Sequence, residues 1–81
     1  METTAREIFR KVVRGNNFIT PDIIGYFLIS DGAAELSKGR GILTPDPLYG
    51  VTVVQNGAHD YDKSTVFYSE KDARDYIKSL K

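Results

Sequence analysis

Apolar residues recur at Ala5, Ile8, Phe9, Val12 and Val13, the i, i+3, i+4, i+7, i+8 spacing of one helical face, and predict an amphipathic helix over residues 3–14. Thr3 or Thr4 supplies the N-cap, with Glu7 three residues after Thr4 as in a capping box. Gly15-Asn16-Asn17 ends the helix, because Gly and Asn accept the left-handed conformation that closes a C-terminus. A second stripe, Ala73, Tyr76, Ile77 and Leu80, predicts a helix over residues 69–81, capped by Ser69 with Asp72 three residues on. Glu70–Arg74 and Lys71–Asp75 stand at i, i+4 on it, in the orientation worth about 0.2–0.5 kcal/mol per pair.

Between the helices the pattern changes period. Residues 20–30 carry two conflicting signals. Thr20-Pro21-Asp22 reads as a helix start, with a capping hydroxyl, proline at the first position and an acid in the first turn. Ile23–Ile29 is β-branched and aromatic, interrupted by Gly25, and has no polar face. A helix there would have no stripe to turn to water, so the strand reading prevails. Asp31-Gly32 is a hairpin signal, and a hairpin pairing residues 24–30 with 33–38 is expected. Residues 39–48 hold two Gly and two Pro and predict a loop. Tyr49 to Gln55 is a strand around the β-branched run Val51-Thr52-Val53-Val54. Asn56-Gly57 opens a polar connection through Lys63, as a turn or bulge rather than the hairpin tip, and Ser64 to Tyr68 returns as a strand.

The resulting order is α-β-β-β-β-α. It predicts a single α+β domain over residues 1–81, with a four-stranded, mainly antiparallel sheet and both helices packed on one face. The other sheet face, or an edge strand, is then where a partner would sit. An uncovered edge such as Ile23 to Ile29 would also pair across a two-fold axis, which keeps a homodimer open.

Composition narrows the function. Leu, Ile, Val and Phe make up 22 of the 81 residues, enough for a folded core. The absence of Cys removes disulfides and Cys-based zinc sites. The 11 Lys and Arg balance 11 Asp and Glu, unlike a protein that coats nucleic acid by charge alone. The balance is uneven along the chain: residues 1–16 carry four cations and two acids. The first residues lack the apolar stretch of a signal peptide, and the longest uncharged run, Pro47 to His59, is too short and too polar to span a bilayer. A soluble, cytoplasmic protein without membrane association is expected.

Four constellations could carry chemistry. Arg6, Arg10 and Arg14 stand at i, i+4, i+8, a basic stripe on the outer face of the first helix, suited to phosphates or an acidic protein patch. Lys38-Gly39-Arg40-Gly41 places glycines around two cations, as anion-binding nests do, without the spacing of a P-loop or dinucleotide fingerprint. Tyr49 and Tyr68, if they share the solvent face of the sheet, form a stacking platform or a protein anchor. His59, Asp60 and Asp62 lie within four residues and are weak candidates for a divalent metal, set against a plain solvated turn. With one His, no Cys nucleophile and no G-x-S-x-G elbow, neither enzymatic activity nor a cofactor is expected.

The α-β-β-β-α part of the order resembles the double-stranded-RNA-binding domain in topology. The basic cluster which that family carries at the start of its last helix is absent from Ser69-Glu70-Lys71-Asp72-Ala73-Arg74-Asp75, so the resemblance stops at topology. By size and architecture alone, the chain is also similar to some phage-encoded inhibitors of host defence. The expected function is a non-enzymatic interaction module, protein-binding in the manner of an adaptor or inhibitor. The alternatives are a nucleic-acid binder using the first-helix stripe and the Lys38–Arg40 loop, or a phage-type inhibitor of a host system.

Overall fold

A computed structural model describes residues 4–15, 18–40 and 46–81 of the chain. The elements run α1 (Ala5–Arg10), β1 (Ile19–Ile29), β2 (Gly32–Arg40), β3 (Pro47–Gln55), β4 (Ala58–Phe67) and α2 (Glu70–Ser79). The four strands form one antiparallel sheet in the order β1-β2-β3-β4, each paired with its neighbour in sequence. Element order, sheet and helix count are those the sequence predicts.

Local chemistry accounts for most boundaries. The Thr4 hydroxyl accepts the Glu7 backbone N–H at 3.2 Å and starts α1. The Ser69 hydroxyl accepts that of Asp72 at 3.1 Å and starts α2. Helix α1 is shorter than its apolar stripe predicts. The N–H groups of Val12 and Val13 both turn back to the Phe9 carbonyl, which tightens the chain after Arg10 and lays both valines against the sheet. Of the expected terminators, Asn16 and Asn17 lie outside the described residues.

The segment with two readings is a strand, and it carries two irregularities. One extra β1 residue is accommodated between Ile19 and Asp22, and another between Ile23 and Gly25. The first hairpin turns at Ser30-Asp31, with Asp31 at φ 60°. Asn56-Gly57 is the tip of the β3–β4 hairpin, not an opening into a longer connection. Both residues have positive φ, 54° and 76°, as a two-residue turn of type I′ requires. The polar segment after it is strand. Between the pairs Val53–Asp60 and Val51–Thr65, β4 carries four residues, Tyr61–Ser64, against one on β3.

The expected loop over residues 39–48 is also largely strand. Gly39 and Arg40 pair with Leu48 and Pro47, so Lys38–Arg40 ends β2 rather than forming a loop, and only residues 41–45 between them lie outside the description.

The expectation that both helices share one sheet face is corrected. Two hydrophobic clusters lie on opposite faces. Ala34, Leu36, Val51 and Val53 pack with Ala73 and Ile77 of α2, whereas Ala33 and Val54 pack with Phe9 of α1. Successive strand side chains point to opposite faces, so the adjacent pairs Ala33/Ala34 and Val53/Val54 require a cover on each side. Ala33 through Ser37 are all buried in consequence, the continuous burial of a strand covered on both faces. At this end of the sheet the central strands are covered by a helix on each face.

Phe18 covers the sheet further along the α1 face. A Cβ on Gly39 would stand 2.4 Å from its ring, and one on Gly50 3.0 Å, so the two glycines make the space it occupies. At the other end, α2 is tied to the first hairpin: Ser30 N–H donates to the Leu80 carbonyl at 3.1 Å, and Ser30 Oγ to the Lys81 carbonyl at 3.0 Å.

Candidate functional site

The three arginines of the first segment do not form a stripe. Arg6 and Arg14 are exposed, but the helix ends at Arg10, and Arg10 turns onto the sheet. Its Nη2 donates to Glu35 Oε2 at 3.0 Å and to the Tyr26 hydroxyl at 2.7 Å, with Nε also reaching that hydroxyl at 3.0 Å. Glu35 is 0% exposed in the middle of β2, so its charge needs a partner, and Arg10 is one. Arg10 therefore anchors α1 to the sheet instead of facing a ligand.

Lys38, Arg40 and Tyr49 come together at the far end of the α2 face. Lys38 pairs with Tyr49 across β2 and β3, its ammonium 5.9 Å from the ring centroid. Arg40 stands two residues further on the same face and is exposed. With Asp22 and Pro47, the two cations line an open depression of about 340 Å³. Tyr68 is 86% exposed beyond the end of β4, whereas Tyr49 packs against the core beneath α2. The two tyrosines do not share one open face as a stacking platform.

His59, Asp60 and Asp62 do not converge, and no group of three metal-ligating side chains occurs among the described residues. His59 stacks on Tyr61 with centroids 3.9 Å apart, and its Nε2 lies 3.2 Å from Ser64 Oγ. Asp60 Oδ1 accepts the Lys63 backbone N–H at 3.1 Å. Ser64 Oγ accepts the Val53 N–H at 2.9 Å and donates to the Asp60 carbonyl at 2.8 Å. These bonds close the four-residue excursion of β4 on itself, the local Asx-type bonding of a turn.

A further candidate surface lies elsewhere, along β1. This strand ends the sheet, and no strand covers its outer edge among the described residues. Its first half is obstructed by Pro21, the charge of Asp22 and the two bulges, all devices that discourage a further strand. From Gly25 to Ile29 the pairing with β2 is regular. Leu28 is 56% exposed and Ile23 39% exposed. Their partners on β2, Ala33 and Ser37, place both on the α1 face.

A groove of about 560 Å³ runs along this stretch, lined by Ala5, Tyr26 through Ser30, and Lys81. On its α2 side a smaller slot of about 160 Å³ opens between Phe27 and the basic residues Arg74, Lys78 and Lys81. The Arg74 guanidinium and the Lys81 ammonium lie 5.8 and 6.0 Å from the Phe27 ring centroid. The opposite edge, β4, is guarded by Asp60, Asp62, Lys63 and its excursion.

Among the residues of the groove, sequence patterning singles out Ile23–Ile29 as an edge, whereas Lys78 and Lys81 carry no local signal beyond the fit of a cation to a helix C-terminus. No helix among the described residues is long and apolar enough to cross a membrane. Compared with known proteins, the chain matches no family model, no curated protein and no solved structure.

Proposed function

We propose that this chain is a small non-enzymatic binding module that takes up a segment of another protein along the outer edge of β1. One observation carries the reading: among the described residues, the regular stretch Gly25–Ile29 is an unpaired sheet edge beside an exposed leucine, while the other edge is obstructed. An edge of this kind offers a row of N–H and C=O groups for backbone pairing, with side-chain pockets on either side for selectivity. The two small helices pack one on each face of the sheet, and Ala5 of α1 and Lys81, just past the end of α2, flank the groove.

The reading is tested by recovering partners from source cells with the full chain, with Leu28→Lys and with Tyr61→Lys on the opposite edge. The expected result is a specific partner retained by the wild type and Tyr61→Lys, lost by Leu28→Lys, and protecting the Gly25–Ile29 amides from hydrogen exchange when bound. Equal recovery by Leu28→Lys, or protection elsewhere, overturns it.

The nucleic-acid reading has less to stand on. Of the cations that reading invokes, Arg10 is engaged with Glu35 and Tyr26, which leaves Lys38 and Arg40 as its close exposed pair. Two phosphate contacts give a salt slope of about −2 at most, characteristic of weak, non-specific association.

A further inference from the structure

We infer that the segment taken up on β1 is an extended strand of alternating acidic and apolar residues, its acids facing α2 and its apolar side chains facing α1. This rests on the reading of the β1 edge as a docking site and deepens it by naming the chemistry of the occupant.

The two sides of the groove differ in kind. On the α2 side the floor is Phe27, ringed by Arg74, Lys78 and Lys81. Arg74 is held by Glu70 at 2.8 Å, whereas neither Lys78 nor Lys81 is within ion-pair distance of a carboxylate among the described residues. On the α1 side the edge presents Leu28 and the flank of Ala5. A strand added to β1 continues the pleat, so its side chains alternate between these two surroundings at every residue. Electrostatic complementarity then selects acids at one parity, and burial against Leu28 selects apolar residues at the other.

The same charges disfavour a second copy as the occupant. Antiparallel self-pairing over Gly25–Ile29 centres a two-fold axis on Phe27, perpendicular to the sheet. Both copies' α2 helices then lie on the same side, and their Arg74, Lys78 and Lys81 are brought together. Like charges so placed act against the pairing, while an acidic strand relieves the repulsion.

The test titrates the isotope-labelled full chain with three blocked heptapeptides, alternating valine with glutamate, with threonine or with lysine. The amides of Gly25–Ile29 report docking. The glutamate peptide is expected to shift these amides and to bind at least about tenfold more tightly than the threonine peptide, with the lysine peptide weakest. In Lys78→Gln/Lys81→Gln the advantage of glutamate disappears. In Lys78→Glu/Lys81→Glu the lysine peptide becomes the preferred one. The neutral variant keeps the test decisive if charge reversal unfolds α2.

Equal binding of the glutamate and threonine peptides overturns this inference but leaves the β1 edge as a docking site. Failure of all three peptides to shift Gly25–Ile29 also overturns it. So does a concentration-dependent dimer in sedimentation whose protected amides are Gly25–Ile29, since the occupant is then a second copy. The docking-site reading itself falls on equal recovery by Leu28→Lys or on partner protection away from Gly25–Ile29.

Discussion

The guanidinium of Arg10 reaches from the end of α1 to the carboxylate of Glu35 in the centre of β2, at 3.0 Å. Glu35 is fully buried, and the Arg10 side chain is 33% exposed. The pair joins a six-residue helix, too short to be stable on its own, to the sheet. Arg10→Leu should destabilise the fold toward the lower end of about 3–5 kcal/mol, because part of the lost interaction was already screened by water. Adding Glu35→Leu should recover most of that loss, since the uncompensated buried charge is gone. Urea unfolding of the two single variants and the double variant measures the coupling.

Phe18 and Gly39 make a second testable pair. A Cβ at position 39 would sit 2.4 Å from the ring, which must then move off the sheet. Gly39→Ala should cost about 1–3 kcal/mol. Phe18→Ala removes the obstacle, so Gly39→Ala should cost much less in that background, a non-additivity that denaturant titration detects.

Ser64 holds the β4 excursion to the sheet by accepting the N–H of Val53, a residue with no solvent exposure. In Ser64→Ala that buried donor loses its partner, at a cost of about 1–3 kcal/mol. Hydrogen exchange at the Val53 amide should accelerate, while exchange in the β1–β2 hairpin stays unchanged.

On α2, the hydrogen bond from Lys71, reinforced by its charge, holds the Asp75 carboxyl below the usual carboxylate range, and the same bond raises Lys71 above its ordinary value. The sign follows from which form the fold favours. Asp75 contributes stability above its unfolded pKa and loses it as pH falls through the lowered one. Lys71 contributes below its unfolded pKa and loses that contribution as pH rises through the raised one. The pair therefore acts across the middle of the pH range and fades at both extremes. Carboxyl NMR should find that Lys71→Ala returns Asp75 toward the ordinary range. Both groups are exposed, so the change in overall stability is small.

What the sequence discloses here is what depends on neighbours in the chain. Ser69, Asp72 and the Glu70–Arg74 and Lys71–Asp75 pairs of α2 take the places their spacing predicts, because each contact spans three or four residues. Arg10 illustrates the opposite case. Its spacing from Arg6 and Arg14 suggests a solvent stripe, but its position is decided by an acid 25 residues away. The sidedness of the helices had a readable sign in the adjacent apolar pairs Ala33-Ala34 and Val53-Val54, since side-by-side apolar residues on a strand require a cover on both faces. The β1 groove depends on where Lys78 and Lys81 come to lie against Phe27, a contact across some fifty residues that no local pattern records.

The bond between Ser30 and the last turn of α2 has a kinetic meaning. Every strand of the sheet pairs with its sequence neighbour, and the turns at Ser30-Asp31 and Asn56-Gly57 close with little loss of chain entropy. Those hairpins can zip independently, while the Ser30–Leu80 and Ser30–Lys81 bonds must bring together groups about fifty residues apart. Docking of α2 is thus expected to be the late event of folding, and the wall of the β1 groove that carries Lys78 and Lys81 is completed only then.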